Sequence, residues 1–594
     1  MYKLHGKTTT LMKKRLLLTA LAVAAAMQAM PADRYIKREV RGVWMATVSC
    51  IDWPNTTGLN YTVRKAQQAE MTKYLDKLQA ANINAVYFQT RPMADALYKS
   101  SYEPVSSYFT GVRGSRLPWD PLQFMVEECH KRGMECHAWV NPYRWKRKSD
   151  PEWSTAKDKK LKSDGMLISY NGNVILNPAL PATRERIVNV CREMIEGYDI
   201  DGIIFDDYFY PSGMPTTSDA EDYNDWQDSG TDLSFGDWRR ANVNQMVADV
   251  YNMIQEVDPA IKFGISPAGA ACSDATVAAK HGVDPIPKGS DWQYNSIFSD
   301  PVAWLEEGTI DYISPQIYWK TDHSTNPFGP MTQWWSKIAK KFGRHHYASH
   351  SLTYLQTSNT TSDWTEAGRQ IQYSRQYTKN AAPGAIFYSA CDLDGKKAEG
   401  FDTWLLKNKF RHPALTPAID WKEHEEYGCV TGLASDGYSL TWDDMGHVRY
   451  SVYAVPDSLP ISSLRESVTG GLASDYLLGT FYTDSLRIPD DYAEGYRFAV
   501  CVLDRYGNEF APAYTETSDV ITDIAGAPFD IVMDGWTLTT GTEADVIQVY
   551  NTTGMLVRDE EHTAELDLTG LPTGIYIVKA VAGKRNAIKK IYVR

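Results

Sequence analysis

Short apolar runs alternate with segments of helical period between about residues 38 and 415. Such runs are typical of parallel strands that are covered on both faces. Ahead of the fourth run, Ile187, Val190, Cys191, Met194 and Ile195 fall on one face of a predicted helix. Eight strand–helix units predict an α/β fold, a (β/α)8 TIM barrel over residues 33–418. The predicted strands are Gly42–Val48, Ala85–Gln89, Glu135–Asn141, Gly202–Asp206, Lys262–Ser266, Tyr312–Ile317, His346–Ser349 and Ala385–Ser389.

The pattern changes after Pro413 and Pro417, where apolar and polar residues alternate with period two. Turn residues such as Asp436-Gly437 separate these strands. The pattern predicts that two small all-β sandwich domains follow the barrel: a fibronectin type III-like domain over residues 419–521 and a C-terminal domain over 522–594. Because a barrel has its own core, we expect a chain that ends near Asp420 to fold alone.

The first 32 residues have the pattern of an export signal peptide. Lys13, Lys14 and Arg15 precede an apolar run from Leu16 to Ala26, which is too short to span a bilayer. No later segment reaches transmembrane length, so we expect an exported protein of the periplasm, the cell surface or the medium. The net charge of -13 argues against a nucleic-acid partner, because phosphate binding needs a basic face.

The sequence predicts neither a cofactor nor a metal site. The eight cysteines form no CxxC pair, which favours buried free thiols and leaves any disulfide pairing open. His345, His346 and His350 are close in sequence, but adjacent strand residues point to opposite faces, so at most two of them can converge.

Two adjacent carboxylates, Asp206 and Asp207, end the fourth predicted strand and are followed by aromatic residues. Barrel enzymes keep their chemistry at the carboxyl ends of the strands. Aromatic rings beside acids are typical of sites that hold sugar rings and protonate a glycosidic oxygen. The pair is therefore predicted to be catalytic. A strand end that binds an ion or caps the next helix is the structural alternative.

Other strand ends supply further polar and aromatic side chains, which should converge on one cleft with the acid pair. Each has a structural alternative: Arg91 could pair with Asp95 at the rim, Trp139 could fill the barrel, and His137 could be a core residue. The predicted substrate-binding residues are Arg91, Asp95, Trp139, Asn141, Tyr143, Arg144, Tyr208, Tyr210, Gln316, Tyr318 and Trp319.

A basic run, Arg144–Lys148, follows the third predicted strand of this acidic chain. It could be a solvated loop. It could also contact an anionic glycan, such as one that contains muramic acid with its lactyl carboxylate.

Several of these segments together resemble the bacterial glycosyl-hydrolase-like ten family, which is distinct from the family ten xylanases. The resemblance implies a TIM barrel, glycoside hydrolysis and, for some members, action on peptidoglycan strands stripped of peptides. The tail resembles the type A sorting domain of type IX secretion, which implies export machinery as a partner beside the glycan substrate. The matching segments are Arg41–Trp44, Gln89–Tyr98, Trp139–Pro142, Asp201–Pro211, Ser314–Trp319 and Pro413–Leu415, with Gly574–Val578 and Lys589–Arg594 in the tail.

The sequence leaves two mechanisms open. The fifth predicted strand ends without a Glu that could serve as the acid, at Gly264–Pro267. An adjacent acid pair is similar to that of substrate-assisted hexosaminidases, in which Asp206 would orient the substrate's N-acetyl group and Asp207 would protonate the leaving oxygen. Gln316 and Tyr318 would hold the acetamido group. Alternatively, Asp206 is a nucleophile and draws its acid from a loop, with Asp322 as the candidate.

A different class of function also fits the sequence. A non-catalytic protein of the cell envelope could keep the same cleft and bind a glycan without turning it over. The discriminating observation is whether the purified chain releases products from peptidoglycan.

Overall fold

The computed structural model describes residues 36–378, 383–393, 397–459, 472–515, 531–534, 536–551, 555–582 and 585–593. The predicted signal peptide, residues 1–32, lies outside this range. The chain divides into two compact units, Met1–Thr515 and Glu516–Arg594.

Eight parallel strand positions form the barrel of the first unit, in agreement with the prediction. The seventh, β7, consists of two short segments: His345–His346 pairs with β6, and Ala348–Ser351 pairs with β8. Because β8 also pairs with β1, this split strand closes the ring. The strands are β1 Val40–Met45, β2 Ala85–Arg91, β3 Glu135–Val140, β4 Gly202–Phe205, β5 Lys262–Ile265, β6 Tyr312–Ile313, β7 as above and β8 Gly384–Tyr388.

One principal helix follows each strand and covers the outside of the barrel. On the fourth helix, Val243, Met246, Val250 and Ile254 recur at helical spacing and are fully buried or nearly so. The helices are α1 Tyr61–Ala80, α2 Pro121–His130, α3 Pro181–Gly197, α4 Phe235–Val257, α5 Pro301–Glu306, α6 Phe328–Lys341, α7 Thr361–Tyr377 and α8 Phe401–Asn408.

Strand alternation decides which side chains reach the barrel interior. Val140 and Phe205 belong to the outer core that packs against the helices. Trp139 and Ile204, one position earlier, belong to a separate, aromatic-rich core inside the barrel. The next inward position on β4 is Asp206, directly above this inner core.

Long insertions leave the carboxyl ends of β3, β4 and β5. The two after β4 and β5 contain the short helices Tyr223–Asp228, Ala275–Lys280 and Trp292–Ser296. The insertion after β3 contains a three-stranded sheet of Arg144–Lys146, Leu167–Tyr170 and Asn173–Leu176. All three insertions therefore lie on the face where barrel enzymes build their clefts.

Two antiparallel sheets follow the barrel within the same unit, in agreement with the all-β prediction. Leu440, Trp442, Val452 and Val500 form part of their shared core. The first sheet contains β9 Ala434–Ser435, β10 Ser439–Thr441 and β13 Ser485–Arg487, and the second contains β11 Arg449–Pro456, β12 Leu477–Phe481, β14 Tyr496–Leu503 and β15 Ala513–Tyr514.

A buried ionic cluster joins the base of the barrel to the first residue of β11. Glu135, which begins β3, accepts hydrogen bonds from Arg449 Nη1 at 2.7 Å, Lys262 Nζ at 2.6 Å and Thr416 Oγ1 at 2.7 Å. The side chains of Glu135, Lys262 and Arg449 are each at most 6% exposed. The sandwich thus supplies a cation to the bottom of the barrel, which argues against the expectation that a chain ending near Asp420 folds alone.

The second unit is an antiparallel sheet with a core that includes Leu538, Ile547, Val549 and Val578. Its strands are β16 Val532–Asp534, β17 Thr537–Asn551, β18 Leu556–Asp567, β19 Gly574–Ala582 and β20 Arg585–Val593.

All eight cysteines are free thiols in the structure; six are buried, whereas Cys50 is half-buried and Cys429 is exposed. Among the described residues, no helix is both long enough and apolar enough to cross a membrane.

Candidate active site

Asp206 lies at the carboxyl end of β4 with its carboxylate turned into the barrel. It is 3% exposed. Its Oδ2 accepts a hydrogen bond from Trp139 Nε1 at 3.1 Å, and its Oδ1 accepts one from the backbone N–H of Tyr208 at 3.3 Å. Trp139 is therefore both part of the inner core and a donor to the acid, so its position on β3 fixes the orientation of Asp206.

Burial and the neighbouring charge of Asp207 raise the pKa of Asp206 to about 7, against the opposing effect of Arg144. Burial also raises the pKa of Asp207, while a hydrogen bond from Gln316 and the charge of Arg144 oppose the rise. Two carboxylates in contact cannot both ionise easily in a site of low polarity. The raised pKa of Asp206 therefore favours a protonated carboxyl within the pair near neutral pH.

Asp207 is half-buried and is thus the more accessible acid of the pair. Gln316, beyond the end of β6, donates from Nε2 to the carbonyl oxygen of Ser266 at 3.0 Å. The backbone of Gln316 also forms bridges with Ala268 and Ser349. These contacts hold the amide of Gln316 beside Asp207.

Arg144 and Tyr208 form the open edge of the site. The guanidinium carbon of Arg144 lies 3.2 Å from the centroid of the Tyr208 ring, and Tyr208 is 47% exposed. The rest of the predicted basic run is partly neutralised: Arg147 pairs with Asp150 at 2.8 Å and Lys146 with Glu152 at 3.1 Å. Within this run, Arg144 is the cation that influences both acids.

Two further tyrosines, Tyr318 and Tyr388, are half-buried and lie beside each other, with ring centroids 5.9 Å apart. Burial, Tyr388 and the acid pair all raise the pKa of Tyr318. Tyr388 packs on the inner core. It was not among the predicted site residues, although it lies one residue before the end of the eighth predicted strand, where the rule applied to the other strand ends would have identified it. Trp319 is half-buried, with its ring 6.1 Å from that of His323.

Asn141 follows β3 at the inward position beside Asp206, because Val140 pairs with Phe205 in the ladder. Its Oδ1 accepts a hydrogen bond from Gln89 Nε2 at 3.3 Å. Its buried Nδ2 has no hydrogen-bond partner among the described residues. Asn141 is fully buried, and an unsatisfied buried amide donor is costly.

Four predicted substrate-binding residues lie in the packed interior of the structure, and their direct contact with a ligand stays a prediction. Each is at most 2% exposed. They act through ion pairs and ring packing: Arg91 with Glu103 at 2.7 Å, Asp95 with Arg113 at 3.2 Å, Tyr143 against Phe209 at 6.4 Å, and Tyr210 against Phe298 at 5.4 Å. The proposed Arg91–Asp95 pair is not formed as such, because each residue has a different principal partner.

A second pair of buried acids, Asp52 and Asp392, supports the end of β8 and was missed in the sequence. Asp52 Oδ1 accepts hydrogen bonds from Ser389 Oγ at 2.7 Å and from the Cys391 N–H at 2.9 Å. Burial raises the pKa of Asp52, and it raises that of Asp392 to about 6. Asp52 is saturated with donors, which indicates a supporting role for the loop that follows Tyr388.

The three neighbouring histidines have separate partners. His345 contacts Tyr347 Oη at 2.8 Å, and His346 contacts Ser336 Oγ and His350 contacts Gln370 Oε1, both at 3.0 Å. In the part of the chain that the structure describes, no group of three or more His, Cys, Asp or Glu side chains could hold a metal ion. Asp322, the alternative acid, lies on the loop after β6 and is exposed there.

Comparisons with known proteins match the barrel. The profile of the family described as glycosyl hydrolase-like 10 matches residues 39–366. The glycosyl hydrolase YngK of Bacillus subtilis strain 168 is 36% identical over 397 residues, 65% of this chain and 75% of that protein. The glycosyl hydrolase DigH of Escherichia coli K12 is 33% identical over 362 residues, 58% of this chain and 80% of that protein.

Among solved structures, the glycoside hydrolase domain of PgaB (BpsB) from Bordetella bronchiseptica aligns with a TM-score of 0.40 and 10% identity, covering 62% of this chain and 98% of that domain. The tail matches the secretion system C-terminal sorting domain over residues 532–594, which marks the chain as an exported protein. The family profile and the two relatives cover the barrel that carries the acid pair, and the chain therefore belongs to the glycosyl hydrolase-like 10 family, as a glycosidase with a C-terminal sorting domain.

Proposed function

We propose that the chain hydrolyses glycosidic bonds of an N-acetylated glycan, namely peptidoglycan strands stripped of their peptides, with Asp206 and Asp207 as the reacting pair. The observation that carries this proposal is the buried carboxyl of Asp206, whose pKa burial and the charge of Asp207 raise to about 7, beside a half-buried Asp207. A sugar-cleaving acid has to keep its proton at the working pH and still reach the substrate.

The substrate itself decides which carboxyl carries the proton. When the N–H of the substrate's acetamido group donates to Asp206, this hydrogen bond favours the ionised form of Asp206. The proton then resides on Asp207, which protonates the leaving glycosidic oxygen while the acetamido oxygen attacks the anomeric carbon. Water opens the resulting ring, and Asp207 takes up the proton from that water. Gln316 and Tyr318 hold the acetamido group.

The competing mechanism, in which Asp206 attacks the anomeric carbon directly, predicts a covalent glycosyl-enzyme. Intact-protein mass spectrometry after rapid acid quench during turnover separates the two. An adduct on the peptide that contains Asp206 would exclude the substrate-assisted route.

A digestion trial tests the function. Purified protein is incubated with intact peptidoglycan, with peptidoglycan stripped by an amidase, and with chitin oligomers, and the products are identified by mass. We expect soluble muramic-acid-containing fragments chiefly from the stripped strands. Binding to the strands without release of any product would instead support the non-catalytic alternative.

We expect kcat/KM to fall as the pH rises through about 7. The raised pKa of Asp206 means that the pair keeps its proton below this pH and loses it above, so the acid needed for leaving-group protonation disappears on the alkaline side. The measurement is kcat/KM on stripped strands from about pH 5 to pH 9 at constant ionic strength. If kcat/KM does not fall across this range, the hypothesis that the pair keeps a proton below about pH 7 is contradicted.

Arg144 supports the choice of a muramic-acid substrate, because it places a half-buried cation beside the acid pair at the open edge of the site. We expect Arg144→Gln to lower kcat/KM on stripped strands by about 10- to 100-fold relative to chitin oligomers, as a charge-assisted contact is lost. The effect of the Arg144 charge on the pKa values of the acid pair is common to both substrates. It therefore cancels in the ratio of the two kcat/KM values. Lys148→Gln, which removes an exposed charge from the same run, is the control. An equal loss of kcat/KM on both substrates would show that Arg144 does not determine substrate specificity.

A further inference from the structure

We propose that the indole ring of Trp292 binds a sugar unit of the glycan strand at a distance from the bond that is cleaved. This inference rests on the proposed function and extends it from one reacting site to a multi-unit cleft. All 18 tryptophans lie in the described part of the chain, and just two of them, Trp292 and Trp536, are exposed, each at 41%. Trp292 is thus the one tryptophan of the first unit that presents this much of its ring to solvent.

The polar edge of Trp292 is fixed by the protein, while the residue as a whole is 41% exposed. Its Nε1 donates to Ser212 Oγ at 2.9 Å. This bond joins the insertion after β5 to the insertion after β4. The same insertions are also joined by a hydrogen bond from the Tyr210 N–H to the Ile297 carbonyl oxygen at 3.3 Å. A ring held in this way loses little conformational entropy when a flat ligand stacks on it.

The anchor of Trp292, Ser212, is only a few residues along the chain from the acid pair. Ser212 follows Asp207 by five residues, which limits their Cα separation to about 18 Å even in a fully extended chain. Both insertions leave the carboxyl ends of their strands, so Trp292 is on the same face of the barrel as Asp206 and Asp207. The exposed Tyr208 ring lies between them in sequence.

The chemistry of the two open rings fits a carbohydrate strand. The faces of pyranose rings carry C–H groups, which pack on aromatic faces while the hydroxyl groups stay in water. An acid pair followed by two exposed rings, Tyr208 with Arg144 on one face and Trp292, suits a polymer whose successive units contact successive rings. We therefore expect affinity to rise with strand length until the strand reaches Trp292.

The test measures dissociation constants by isothermal titration calorimetry for peptide-stripped strands of graded length, from a disaccharide upward. The full chain carries Asp207→Asn to slow cleavage. Trp292→Ala should reduce the gain in affinity between the disaccharide and the long strands by about tenfold, and Trp292→Phe should restore most of it because a ring remains. Trp536→Ala is the control, because Trp536 is equally exposed and belongs to the second unit. It should leave the dissociation constants for the disaccharide and for the long strands unchanged.

Three results would overturn the inference: an unchanged affinity of Trp292→Ala for long strands, an equal loss on the disaccharide, or no strand binding at all by the parent chain. Cleavage by the unmutated chain is scored separately. Length-dependent binding through Trp292 without any cleavage would sustain this inference while refuting the proposed hydrolysis, so the two failures are distinguishable.

Discussion

Asp206→Asn and Asp207→Asn should each lower kcat on stripped strands by about two to four orders of magnitude. Both replacements keep the side-chain volume and remove the charge and the exchangeable proton. In Asp206→Asn, the new amide oxygen could still accept the hydrogen bond from Trp139, so the inward orientation at the end of β4 should persist. The measurement is the initial rate of product release, with substrate affinity determined in parallel.

Stability supplies the control for these variants. The raised pKa of Asp206 means that its stabilising contribution is complete below the ordinary value of 3.8 and is lost as the pH rises through about 7. Asp206→Asn should therefore be more stable than the parent chain above this pH, by up to about 4 kcal/mol. A variant that is inactive because it is unfolded would fail this check. Turnover near that of the parent in both variants would remove the pair from the mechanism.

Arg449→Ala should destabilise the first unit by about 3–5 kcal/mol, since it removes one cation from a buried charge cluster. Glu135 would keep Lys262 but lose the 2.7 Å hydrogen bond from Arg449, and Asp201, 4.0 Å from the same guanidinium, would also lose a neighbouring cation. The measurement is the free energy of unfolding from chemical denaturation, followed by tryptophan fluorescence.

Arg505→Ala is the matched control, because Arg505 also links the sandwich to the barrel. It pairs with Asp258 at 2.6 Å, but both side chains are more than 20% exposed. Partly solvated pairs contribute about 0–1 kcal/mol, so this variant should be nearly as stable as the parent. Equal losses in the two variants would show that the buried cluster has no special role.

The same cluster also bears on whether the barrel can fold without the sandwich that follows it. A chain that ends near Asp420 would lack Arg449 and also Tyr482, whose hydroxyl donates to Asp201 at 2.9 Å and whose ring stacks on His130 at 3.8 Å. The base of the barrel would then expose a buried acid and an aromatic face. We therefore expect this truncated chain to be poorly folded, in contrast to the prediction from the sequence.

Local patterns determined the architecture. Each barrel strand is a short apolar run, and each helix repeats its apolar positions at a fixed spacing. Both patterns can be identified from residues that are close together in the chain. The convergence of strand ends on one face then followed from topology, which is why Asp206, Asp207, Gln316 and Tyr318 could be grouped from sequence alone. The structure brings these four together.

Only the tertiary structure decided which polar groups are buried and which residues are their hydrogen-bond or ion-pair partners. Four residues have side chains of the types found in sugar sites, yet each is buried in the packed interior: Arg91, Asp95, Tyr143 and Tyr210. Asp52 and Ser389 are 337 positions apart, and Glu135 and Arg449 are 314 apart. Hydrophobic periodicity is a property of neighbours in the chain, whereas the burial and pairing of a charge depend on residues that meet only after folding. The sequence by itself therefore determined the barrel and the edge that carries the acid pair, and the fold determined the contacts that support this edge.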